Sequence, residues 1–174
     1  MPTTNPTLFR ATHGLLWLML ALVVAAALIV AGVAIALVVA WPDVMAEIRT
    51  MPEFVDVATI RFPLGILMLL LIAVLGVAAY ILRQLQALVT SASRDPFIID
   101  NAARLRRIGW SLVTIQVLAL PVHWTAANIA RAGSEFSQMG GLSIGSLLSI
   151  LLAFVLAAVF EQGAAMRGEL EETV

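Results

Sequence analysis

The chain has no cysteine and no lysine. The first absence excludes disulfides, thiolate nucleophiles and cysteine-ligated metals. The second leaves arginine as the sole fixed positive side chain. Charge of either sign is scarce: Asp, Glu, Lys and Arg make up 12% of the 174 residues, against roughly 25% in an ordinary soluble domain. The formal net charge of -1 carries no basic signature of nucleic-acid binding, and the arginines lack an aromatic stacking platform. Direct nucleic-acid binding is therefore not expected. HExxH, Walker A, the dinucleotide glycine fingerprint and GxSxG are all missing, so no catalytic residue and no enzymatic activity are expected.

What is present is apolar. Hydrophobic residues reach 61%, above the roughly 45–50% typical of globular domains, and they fall in blocks. One block runs from Gly14 to Ala40 without a charge. The others run from Phe62 to Leu82, from Ile108 to Ala127 and from Leu142 to Phe160. About 20 apolar residues cross a bilayer as a helix. The expected fold is all-α: a single transmembrane domain, an integral membrane four-helix bundle with spans near 14–40, 62–82, 106–127 and 142–162. The first block is too long for the 7–15-residue apolar core of a signal peptide and is read as a retained anchor. Residues 1–9, with two prolines and three threonines, read as disordered.

Arginine placement sets the expected orientation. With four spans both termini share one side. A cytoplasmic assignment puts Arg10, Arg83, Arg94, Arg104, Arg106, Arg107 and Arg167 inside, and Arg49, Arg61 and Arg131 outside. The positive-inside rule then predicts N-in and C-in, with a cytoplasmic loop over about 83–105. The first outside loop allows a short interfacial helix over DVMAEIRTM, with Pro52 and Pro63 as punctuation and Trp41 in the outer aromatic belt.

Within the spans, small residues recur every four positions. Gly32, Ala36 and Ala40 do so in the first; Gly145, Ser149, Ala153 and Ala157 do so in the fourth, with Glu161 next in the series. Such spacing lets helices approach closely in lipid, so the fourth-span face is expected against protein; in the first span alanine is abundant throughout and the spacing alone carries little weight. Glu161 is expected to pair with Arg83, Arg104 or Arg107. Pro121 is expected to kink the third span. His13 and His123 fall at opposite ends of the expected bundle, separated by about 30 Å of hydrocarbon. They do not share an iron or metal, and no cofactor or metal site is expected.

The most distinctive stretch is Arg94 to Trp110, RDPFIIDNAARLRRIGW. Asp95 and Pro96 have the form of an N-cap followed by proline at the first helical position, and Asp100-Asn101 offers a second cap. Two readings stand side by side. One is structural: capping, and topology set by Arg104, Arg106 and Arg107. The other is a docking surface with Phe97 as apolar anchor, Asp95 and Asp100 as acids and the three arginines as a basic patch, which would also attract anionic membrane lipids.

DPFIIDNAARLRRIGW, together with the C-terminal VFEQGAAMRGELEETV over 159–174, resembles the DUF2975 family of small prokaryotic membrane proteins. Phe160, Gly163, Arg167, Glu169 and Glu171 occupy places comparable to that family's ending. The resemblance implies four spans, no assigned enzymatic activity and genes that often neighbour a small helix-turn-helix regulator. It points to a regulatory or signalling membrane protein with a cytoplasmic-face interaction surface around 94–110, a cytosolic helix-turn-helix partner and a homo-oligomeric state left open. The alternative is a small transporter, channel or lipid-binding protein, motivated by Pro121, Gln116 and Glu161.

Overall fold

The computed structural model describes residues 6–42, 46, 57–92, 97–131 and 143–172. They form four long helices, with no strand among the described residues: α1 (Pro6–Val39), α2 (Val57–Ala92), α3 (Ile99–Arg131) and α4 (Ile144–Glu172). Each contains a stretch long and apolar enough to cross a membrane, of 30, 32, 31 and 26 residues in chain order. At 1.5 Å per residue a 30-residue helix is about 45 Å long, more than the roughly 30 Å hydrocarbon core. Each helix therefore carries turns beyond the apolar layer, where charged residues can sit.

Large apolar side chains are exposed along all four helices, among them Leu28, Ile35, Leu69, Val117, Leu151 and Val155. In water this would be an untenable surface. In lipid it is the expected one, because the surrounding chains are as apolar as leucine and every helical backbone group is already paired.

The helices begin earlier and end later than the apolar blocks. α1 starts at Pro6, inside the stretch expected to be disordered; proline is tolerated in a first helical turn because its missing N–H would be unpaired there anyway. α2 starts at Val57 and runs through Pro63, which was expected to punctuate a loop. The cost is the hydrogen bond to one carbonyl, four residues back. At its other end α2 continues to Ala92, so most of the expected loop over 83–105 is helical. α3 is assigned as one helix through Pro121. The interfacial helix expected after Trp41 lies almost wholly outside the described residues.

The chain divides into two compact units. One comprises residues 1–23, 77–116 and 142–174; the other comprises 24–76 and 117–141. The core of the first unit is built from Leu16 and Leu20 of α1, Ile81 of α2, Ala102, Leu105 and Ile108 of α3, and Ala153 and Ala157 of α4. The three- and four-residue spacings put each set on one helical face. Ser111 extends the α3 face and satisfies its hydroxyl by donating to the Arg107 carbonyl, 2.8 Å away. In the second unit Thr125 and Ala126 are buried on α3.

The small-residue stripe on α4 is buried only in its second half. Gly145 and Ser149 are exposed, and the Ser149 hydroxyl donates to the Gly145 carbonyl at 2.8 Å. That bond removes the need for a partner helix. On α1, Gly32 and Ala36 are likewise exposed, and a Cβ at Gly32 would meet nothing within 4 Å. The close approach occurs instead at Gly109 of α3, where a Cβ would lie 3.1–3.2 Å from the ring of Phe154 of α4. Trp110 meets the same ring edge-on, with centroids 5.7 Å apart and an interplanar angle of 83°, a favoured aromatic geometry.

Gly109→Leu is expected to destabilise the protein by about 1–3 kcal/mol through overpacking, read as a lower unfolding midpoint in detergent. Phe154→Ala on the Gly109→Leu background is expected to restore part of that loss.

Candidate interaction site at the α2–α3 connection

Six residues, 93–98, join α2 to α3, and 97–98 are described. The Asn101 N–H donates to the Ile98 carbonyl at 3.0 Å, turning the chain into α3. Asp95 and Pro96 lie outside the described residues. Asp100 is exposed in the first turn of α3, where a carboxylate is favoured by the positive end of the helix dipole.

Asn101 is not a cap. It lies inside α3 and is fully buried, at 0% exposure. Its Oδ1 accepts from Arg104 Nη1 at 2.9 Å and from Ser91 Oγ at 2.5 Å. Arg104 Nη1 also donates to Ser91 Oγ at 2.8 Å and approaches the Ala87 carbonyl at 3.4 Å. Asparagine, serine and arginine thus bind two helices together, and the guanidinium rests against the negative end of the α2 dipole. Hydrogen bonds to a charged donor are roughly twice as strong as neutral ones. Removing one member would leave buried polar atoms unpaired.

Three contacts then tie α4 to this end. Phe97 packs on Phe160, with ring centroids 5.5 Å apart and an interplanar angle of 39°. The same ring covers Gly163, where a Cβ would come within 2.6 Å of a Phe97 ring carbon. Arg106 Nη2 pairs with Glu161 Oε2 at 2.5 Å. As residue numbers rise from 97, just before α3, to 106 and 109 on it, their partners on α4 fall through 163, 161 and 154, so these two helices run antiparallel.

Glu161 therefore pairs with Arg106, not with Arg83, Arg104 or Arg107. Two residues on an α-helix are about 200° apart. With Arg104 turned to α2, Arg106 is carried to the opposite side. Gly109, three residues further, shares the Arg106 face and also meets α4. The expected basic patch is accordingly divided. Arg104 is half-buried against α2, Arg106 is paired, and Arg107 is exposed with its carbonyl taken by Ser111. Arg167 is exposed on α4. The ion pair itself is half in solvent, with side chains 54% and 49% exposed, which limits it to about 0–1 kcal/mol. Ring and glycine, rather than charge, hold α4 here.

Neither histidine belongs to this site. His13 Nε2 accepts from Trp17 Nε1 at 3.1 Å, one turn along α1, and His123 Nδ1 lies 2.5 Å from the Ala119 carbonyl on α3. Among the described residues no three His, Asp or Glu side chains gather to hold a metal ion. The residue least visible in the sequence was Ser91, which falls within the loop expected over about 83–105 and is instead the α2 half of the Asn101 cluster. Its only signal was its place one residue before the end of a helix that continues past its apolar block.

Fold and site together define an all-α, multi-pass membrane protein with a polar cluster joining the end of α2 to the start of α3. The model of a family described as a protein of unknown function, DUF2975, matches residues 47–174, and the chain belongs to that family. The matched range contains every residue of the site. No curated protein and no solved structure matches the chain.

Gly163→Leu is expected to displace the Phe97 ring and lower stability by about 1–3 kcal/mol, with Phe97→Ala on that background recovering part of it. Glu161→Gln should change the same unfolding midpoint by less than about 1 kcal/mol.

Proposed function

We propose that the protein is a non-enzymatic regulatory or signalling component of the bacterial inner membrane. In this reading the termini and the α2–α3 connection are cytoplasmic, and that end docks a cytosolic helix-turn-helix regulator. The observation that carries it is the division of roles among neighbouring residues. Asn101, Ser91 and Arg104 are spent on bracing the end internally. Phe97, at 45% exposure, and the exposed Ile99, Asp100 and Arg107 remain on its surface. Exposed apolar side chains beside charges of both signs, on a rigid support, suit a reversible protein interface. Such a surface needs no cavity and no catalytic group.

Two further supports come from the sequence. Seven of the ten arginines fall on one side under this orientation, as the positive-inside rule requires. The resemblance to DUF2975 implies a helix-turn-helix regulator encoded nearby, which is a partner of the right compartment and size for a small surface.

The cysteine-free chain makes orientation directly measurable. Ser134→Cys should react with a membrane-impermeant maleimide in intact spheroplasts, and Thr3→Cys only after permeabilisation. The reverse pattern removes the cytoplasmic assignment. Docking is tested by capture of the neighbouring regulator on the full-length, detergent-extracted chain. The double substitution Ile99→Asp and Arg107→Glu is expected to weaken capture by at least about tenfold, or roughly 1.4 kcal/mol, with helix content unchanged. Absence of capture by the unsubstituted chain, or capture unaffected by the double substitution, sinks the docking surface.

A further inference from the structure

A second site lies in the unit formed by residues 24–76 and 117–141. There α1 and α2 leave a groove of about 460 Å³, lined by Leu37 and Val38 of α1 and by Leu64, Gly65 and Met68 of α2. That volume falls in the roughly 300–1,000 Å³ range of small-molecule sites. The walls are almost wholly apolar, with Trp41 and Phe62 among them. One charged side chain stands in the lining, Arg61, with its guanidinium carbon 5.2 Å from the centroid of the Trp41 ring. Arg61 is exposed and makes no ion pair among the described residues.

Gly65 is one of the residues that line the groove. The missing side chains at Gly109 and Gly163 are filled by the rings of Phe154 and Phe97. At Gly65, as at Gly14, Gly32, Gly76 and Gly168, a Cβ would meet nothing within 4 Å. No neighbouring backbone or side chain requires glycine there. Its effect is to leave open the floor of a groove that no described side chain fills.

We propose that this groove seats one acyl chain of an anionic phospholipid, whose phosphate is held by Arg61. Water does not stably fill an apolar slot, and the bathing medium of a membrane-spanning helix pair is acyl chains. Arg61 opens the membrane-crossing stretch of α2, and Trp41 follows the end of α1. These are boundary positions, where tryptophan and lipid phosphates lie. Stacking on Trp41 covers one face of the guanidinium and leaves its edge N–H groups for a phosphate, which they match as a fork. The cation selects the anionic headgroup, and the groove holds the chain. The assignment is independent of orientation and of the docking surface at the α2–α3 end.

The test is native mass spectrometry of the full-length chain released from nanodiscs of equal phosphatidylglycerol and phosphatidylcholine. The expected result is one retained lipid per chain, phosphatidylglycerol favoured by at least about fivefold, the size of one basic residue's attraction at a charged surface. Arg61→Gln should bring the two lipids to parity, and Arg61→Lys should keep a preference. Gly65→Phe should abolish retention of both lipids while leaving helix content and unfolding midpoint in place, because its Cβ has room. Equal retention of the two lipids by the unsubstituted chain overturns the phosphate contact. Retention unchanged by Gly65→Phe overturns the groove, as does efficient disulfide cross-linking of two Gly65→Cys copies, which would show a second chain occupying it.

Discussion

A fully buried amide must find its partners inside the fold, and Asn101 sets that demand. Its carbonyl oxygen draws in Ser91 from α2 and Arg104 from its own helix. Both requirements are geometric. Ser91 can be reached only if α2 remains helical past its apolar block, and Arg104 only if the α3 face bearing it turns toward α2. Once that face is fixed, helical periodicity carries Arg106 and Gly109 to the other side, where Glu161 and Phe154 of α4 meet them. One polar cluster thus fixes the rotation of α3, and the rotation of α3 fixes where α4 packs.

The energetic ranking of these contacts differs from their visibility. The Arg106–Glu161 pair is the contact a reader of the chain would seek first, yet it is half solvated and weak. The contacts that fix α4 are ring over glycine, at Phe97–Gly163 and Phe154–Gly109. In lipid no apolar driving force separates helix from solvent, so close packing takes over the role that burial plays in water. A glycine that receives a ring gives that close packing without any polar atom.

Much of the architecture was legible because the bilayer imposes one strong constraint: four uncharged blocks of the right length mean four helices. The ends were less legible, since nothing in an apolar count distinguishes the last membrane-embedded turn from a helix that continues into the polar layer. Pro6, Pro63 and Thr90 to Ala92 all fell inside helices for that reason. The site was half legible. Arg94–Trp110 and the ending at 159–174 stood out as motifs, but the partner of each residue depended on helix rotation. Asn101 has the composition of a cap and serves as a buried cross-brace. Arg104, Arg106 and Arg107 look like one patch and point three ways. Small residues at four-residue spacing proved ambiguous: Ala153 and Ala157 are buried, whereas Gly145, Ser149 and Gly32 are not.

The two sets of contacts at the α2–α3 end differ in how far apart in the chain their members lie. The Asn101 cluster joins residues 10 to 17 positions apart between helices, whereas the Arg106–Glu161 contact closes 55. Short-range closure loses less chain entropy and completes sooner. During synthesis Arg104 emerges while α4 has yet to be made, so the α2–α3 hairpin has all the parts of its brace before the last helix exists. Helix α4 is therefore expected to dock on an α2–α3 hairpin that already carries Gly109 and Phe97.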